Sequence, residues 1–219
     1  MFLGKVIIVE IKDMKTLSLG CALTKSIVLS DGFSIVPIGS WILEDSETVA
    51  RMVSWREKAK DSFFSKVDSS SESMLWYLGE YSIADPNRIL FLIRKGEEFL
   101  GHLGLSSIST GSAEIDNVMK SQDKSQTIES QQFFTIFVEF ISWARMTLGI
   151  CEFKLQVVST NLPAIQLYSR AGFRSMQWSG DGHISPTKRN DGEMGSHPDG
   201  KSRIWMNLSL CKETKIYSG

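Results

Sequence analysis

The segment from Ser130 to Leu148 constrains the fold of this chain more than any other. Phe133, Phe134, Ile136, Phe137, Phe140, Ile141, Trp143 and Ala144 fall within it at helical spacing. Apolar side chains cover most of the circumference of such a helix, so other elements must bury it deeply. Gly149 follows, a residue suited to the left-handed turn that ends a helix. With 219 residues, 42% of them apolar, the chain has material for one substantial domain around this helix.

The flanking segments read as strands. "CEFKLQVV" alternates Phe153, Leu155 and Val157 with Lys154 and Gln156, the pattern of a half-buried strand. Asp85-Pro86-Asn87 makes a turn, residues 89–94 a strand, Lys95-Gly96-Glu97 a tight connection, and residues 99–108 the returning strand. Residues 113–119 form another. Nearer the start, residues 5–11, 21–29 and 33–38 read as extended, with Asp31-Gly32 as a turn. Residues 41–60 and 72–81 read as helices, the first with acids at its front and bases at its back, as the helix dipole favours. A hairpin of residues 173–178 and 204–210 closes the chain around a Gly-, Asp-, Ser- and Pro-rich loop over 179–203. The class is mixed α/β (α+β): an N-terminal extension over 1–32, one domain over 33–210, and a tail over 211–219.

Charge and cysteine content exclude several functions. The formal net charge is -1, with acids and bases interleaved, so neither a nucleic-acid nor a membrane partner is expected. Cys21, Cys151 and Cys211 are odd in number and widely separated, and His102, His183 and His197 form no paired-ligand pattern. Reduced, structural thiols, no metal and a cytoplasmic location are expected, and His102 reads as a histidine satisfied within its hairpin.

The chemistry concentrates in "VSTNLPAIQLYSRAGF". Asn161 suits a helix N-cap, Pro163 is tolerated in the first turn, and Gly172 suits the stop. Asn161, Ala164 and Tyr168 then share one stripe of the helix. Set after the strand "FKLQVVSTN", with Gly172-Phe173 closing the helix, this arrangement resembles the GNAT (GCN5-related N-acetyltransferase) family. Upstream, "SETVARMVSWREK" is similar to the first helix of members that act on amino-sugar nucleotides and on ribosomal proteins, and "EIDNVMK" leans toward the former. The resemblance covers about residues 33–210.

It implies a sheet of roughly seven strands with splayed central strands and helices on both faces, and acetyl-CoA as co-substrate. The acceptor would be a small-molecule amine on a nucleotide-linked amino sugar, with a protein N-terminus or ribosomal protein as the alternative; a homodimer is also allowed. Backbone around Val118, Met119 and Lys120 would pair with the pantetheine arm, Asn161 and Ala164 would line it, and Tyr168 would protonate the leaving sulfur. Glu114 and Asp116 alternate onto one strand face, where paired carboxylates raise a pKa and attract an amine, so both are candidate bases, Asp116 foremost. Arg56 is a candidate substrate contact. The family's glycine-rich phosphate loop is replaced here by "MKSQDKSQTIESQQ", which has no glycine. Lys120 and Lys124 could meet phosphates, and Ser125, Thr127 or Ser130 could cap the helix. That departure leaves a non-catalytic module on the same fold as the other reading.

Overall fold

The structure, a computed structural model, describes residues 10–62, 70–123, 127–175 and 203–210. One sheet of eight strands runs through it: β1 (Ile27–Val28), β2 (Phe33–Pro37), β3 (Ile89–Lys95), β4 (Glu98–Ser109), β5 (Ser112–Lys120), β6 (Glu152–Val158), β7 (Arg174–Ser175) and β8 (Arg203–Ser209), in the order β1-β2-β3-β4-β5-β6-β8-β7. Every neighbouring pair is antiparallel except β5 and β6.

Helices cover both faces. On one, the long helix α5 (Ser130–Leu148) and the shorter α6 (Leu162–Arg170) bury Phe133, Ile136, Phe137 and Phe140 against Phe91, Leu103, Leu105, Ile115 and Phe153. On the other, α3 (Ser46–Lys58) and α4 (Ser71–Trp76) pack Met52, Trp55 and Met74 on Val36, Leu90, Leu92 and Met119. Beyond α4 the chain widens into π-helical turns over Tyr77–Ile83. Gly149 ends α5 at φ 65°, a conformation glycine adopts without a Cβ clash.

Three expectations from sequence are corrected. Of the strand expected over 5–11, residues 5–9 lie outside the described residues, and residues 10 and 11 open a helix over 10–15 (α1); Leu19–Thr24 is a helix (α2) capped by Ser18, not the start of the strand expected over 21–29. Here the period prevails over β propensity: Ala22 is fully buried, and Leu19 and Leu23, four apart, both pack on the α3-side core. The single helix over 41–60 divides at Asp45, whose carboxylate accepts from the Thr48 amide at 3.0 Å and starts α3 after a 3₁₀ turn over Ser40–Glu44. The strand over 173–178 is seen as Arg174–Ser175; residues 176–178, most of the 179–203 loop and the tail lie outside the described residues.

Candidate active site

β5 and β6 pair only from Ser112 to Glu114 and from Glu152 to Lys154. Beyond that register they separate, so residues 115–120 of β5 and 155–158 of β6 face a gap, with no strand partner across it among the described residues. An extended chain of amide and carbonyl groups placed there would find unpaired backbone donors and acceptors on both edges.

The β5 side of the gap carries a bulge. Gly104 pairs with Asp116, but His102 pairs with Met119, so Asn117 and Val118 together oppose Leu103. Asn117 takes φ 51°, a left-handed conformation that asparagine tolerates better than most residues. The extra residue inverts the alternation. Ile115 and Val118 pack on the α5 side, while Met119 joins the α3 side.

Around the bulge lies a polar cluster on the α3 face. Asp116 forms an ion pair with Arg88 Nη1, with side chains 34% and 7% exposed, so the arginine is the deeply buried partner. Tyr77 Oη accepts from Asn117 Nδ2 at 2.7 Å and from Arg88 Nη1 at 3.5 Å, and the guanidinium lies 4.7 Å from the centre of the Tyr81 ring. Burial, and then Asp116, push the Tyr77 phenol up to about 12. His102 Nδ1 lies 2.7 Å from the Asn117 carbonyl and must therefore carry the proton, while burial pulls its pKa down to about 4. Arg56 adjoins the cluster: burial lowers its pKa, and Tyr77 and Asp116 act against that.

On the α5 side of the sheet, α6 carries Tyr168. Its ring packs on Phe137 and Phe173 with centroids 5.5 and 6.1 Å apart, and the side chain is buried. Burial raises its pKa well above the usual phenol range, and the Asp116 carboxylate raises it further. Tyr168 therefore holds its phenol proton more tightly than a solvent-exposed tyrosine does. Asn161 caps α6, its Oδ1 accepting from the Ala164 amide at 3.2 Å, and Ala164 is half-buried against the α5-side core.

Of the expected site residues, Val118–Lys120 lie on the free stretch of β5, and Asp116 on the same strand is near enough to Tyr168 to act on its phenol. Glu114 and Asp116 share a strand face, as expected, but they do not work as a pair. Asp116 is held by Arg88, and Glu114 accepts from Gln156 Nε2 at 3.4 Å across the mouth of the gap. At the far end, neither Thr127 nor Ser130 caps α5 as expected. Glu129 is the N-cap, Ser130 is the first helical residue, and Thr127 Oγ1 reaches the Ser121 carbonyl at 3.4 Å. Lys120 Nζ donates to the Ile128 carbonyl at 2.7 Å. Lys124 and Ser125 lie outside the described residues.

Arg88 and Tyr77 escaped sequence reasoning because their partners stand 28 and 40 residues away. A signal for the bulge did exist, in an asparagine within a strand of otherwise alternating pattern. Among the described residues no cluster of His, Cys, Asp and Glu is arranged to hold a metal, and no helix is long and apolar enough to cross a membrane.

Comparisons with known proteins agree with this geometry. The model of the acetyltransferase (GNAT) domain matches residues 43–183, well over half of the chain. No relative among curated proteins matches. Solved structures with the same fold include spermidine N-acetyltransferase from Vibrio cholerae in complex with CoA and spermine, 14% identical, with 83% of this chain and 97% of that one covered at a TM-score of 0.56. RimL, a ribosomal alpha-N-protein acetyltransferase in complex with coenzyme A, is also 14% identical, covering 85% of this chain and 98% of its own at 0.57. A probable acetyltransferase of the GNAT family from Chromobacterium violaceum is 13% identical, covering 84% and 85% at 0.60. With the domain match, the eight-stranded sheet and its parting between β5 and β6 in agreement, the chain belongs to the GNAT family of acyl-CoA-dependent N-acetyltransferases.

Proposed function

We propose that the chain transfers an acetyl group from acetyl-CoA to a primary amine at the gap between β5 and β6, with Tyr168 as the proton donor. The observation that supports this most is the unpaired pair of strand edges with a buried, protonated phenol beside it. Acetyl-CoA supplies, when bound, an acetyl thioester whose sulfur leaves as a thiolate. The backbone of Val118, Met119 and Lys120 would hold its pantetheine arm as an added strand. Tyr168 Oη keeps its proton in the free protein and can give it to a leaving sulfur, a form of help typically worth about 10²–10⁴-fold.

The amine would approach on the α3 face, beside Asp116. That carboxylate is already paired with Arg88, so an incoming ammonium must share it. Two guanidinium groups, Arg88 and Arg56, near one carboxylate suit an acceptor that carries anionic groups along with its amine better than they suit a polycation. A nucleotide-linked amino sugar fits that description, and it is our reading of the acceptor. Rates with an amino-sugar nucleotide, spermidine and a free peptide N-terminus decide the matter: spermidine as the best of the three would sink it.

The test of the mechanism is Tyr168→Phe. Turnover should fall about tenfold or more, while acetyl-CoA affinity measured by calorimetry stays nearly unchanged. Unaltered turnover would remove Tyr168 from the chemistry.

A further inference from the structure

A helix N-terminus with free amides is a natural seat for phosphate, and the glycine-rich loop of the family offers one at the start of the long helix. In this chain the start of α5 is already occupied by the chain's own carboxylate. The Glu129 side chain accepts from the backbone N–H of Gln132, and the Gln132 side chain accepts in return from the Glu129 N–H at 3.3 Å. A negative charge thus sits at the positive end of the helix dipole and takes up an amide that an anion would otherwise use.

The rest of the described loop is arranged to match. Lys120 is turned onto the Ile128 carbonyl at 2.7 Å, with its ammonium 5.9 Å from the centre of the Phe133 ring. Asp123 pairs with Lys58 of α3, and the Ser121 amide donates to the Leu100 carbonyl at 2.6 Å. Ile128 is fully buried, so the backbone leading into Glu129 is anchored. The sequence has no glycine from Met119 to Gln132, the residue type whose bare backbone lets a diphosphate approach most closely. The gap between β5 and β6 fits a pantetheine arm; the start of α5 does not fit the diphosphate.

We infer that Glu129 sets donor specificity: the thioester is held through its pantetheine arm, the diphosphate adds little affinity, and pantetheine thioesters lacking the adenosine diphosphate serve as donors. This rests on the acetyltransferase reading above. Calorimetry on the full chain with acetyl-CoA and with acetylpantetheine tests it, in the wild type and in Glu129→Ser. Serine is itself a good N-cap, so the variant removes the charge and keeps the start of the helix. In the wild type the two dissociation constants should lie within about tenfold of each other. In Glu129→Ser, acetyl-CoA should bind about tenfold tighter or more, with acetylpantetheine unchanged.

A wild-type preference for acetyl-CoA of about a hundredfold or more overturns the inference, as does an acetyl-CoA affinity that Glu129→Ser leaves where it was. If wild type and variant bind neither donor at millimolar concentration, the acetyltransferase reading falls along with it. A failure confined to the diphosphate comparison leaves that reading standing.

Discussion

His102 is buried as a neutral imidazole, with Trp55 at 6.1 Å between ring centres and the Asn117 carbonyl fixing its tautomer. Its folded-state pKa of about 4 lies below the unfolded value of about 6.5, because burial disfavours the cation. Between those two values the unfolded chain binds the extra proton, so stability falls as the pH drops from 6.5 toward 4 and is unaffected by this group above 6.5. The loss should amount to roughly 3 kcal/mol. Denaturant midpoints across that range should show it, and His102→Asn, whose Nδ2 takes the place of Nδ1 as donor to the Asn117 carbonyl, should show a shallower fall. Parallel curves for the two proteins would contradict the assignment. At this scale the sequence was informative about residue types. Tyr168, Asp116 and His102 were all visible as chemically able groups, and the satisfied-histidine reading matches the bond found. What each can do depends on partners such as Arg88 and Asn117, which no local pattern connects to them.

Among the elements, α5 is the one whose apolar period and stop were most legible. Its apolar period runs from Phe133 to Ala144 and its stop is Gly149. The stop can be tested: Gly149→Ala places a Cβ at φ 65° and should cost about 1 kcal/mol, seen as a lower melting midpoint. A midpoint equal to or above that of the wild type would mean that the C-terminal turn has rearranged. The start of α5 was harder to read, since glutamate is not among the favoured caps and acts here only through the reciprocal bond to Gln132. β5 shows the other limit of periodicity. Strict alternation holds from Ala113 to Asp116 and then inverts at one left-handed residue, which decides which side chains face α3.

Over the whole molecule, the segment before the domain match is built into the structure. Ile11 is fully buried in the α5-side core, and the Lys15 carbonyl lies against Gly39, where a Cβ would stand 2.3 Å from its oxygen. The Lys15 side chain, 6% exposed, donates to the carbonyls of Ser82 at 3.0 Å, of Ile83 at 3.2 Å, and of Asp85. Those carbonyls close the π-helical turns that carry Tyr77 and Tyr81 to the polar cluster. Burial lowers the Lys15 pKa to about 8, yet the bonded ammonium is still the main form at neutral pH. Lys15→Met would relieve that burial penalty but leave three carbonyls without their donor, and the second effect should dominate. A loss on the order of 2 kcal/mol in denaturation is expected, with faster hydrogen exchange over residues 77–83. An unchanged midpoint and unchanged exchange would show that the clamp is dispensable.

From local spacing alone the sequence set the period of α5, the cap and stop of α6, the turn before β3, and the Asn161–Ala164–Tyr168 stripe. Each of these depends on residues within a few positions of one another, where spacing dictates which side chains share a face. The tertiary structure alone decided the parting of β5 from β6, the capture of Asp116 by Arg88, and the clamp of Lys15 on the π-helical turns. Those bonds join residues 28 to 70 positions apart, and the chain is brought together there only when both helical layers are buried on the sheet.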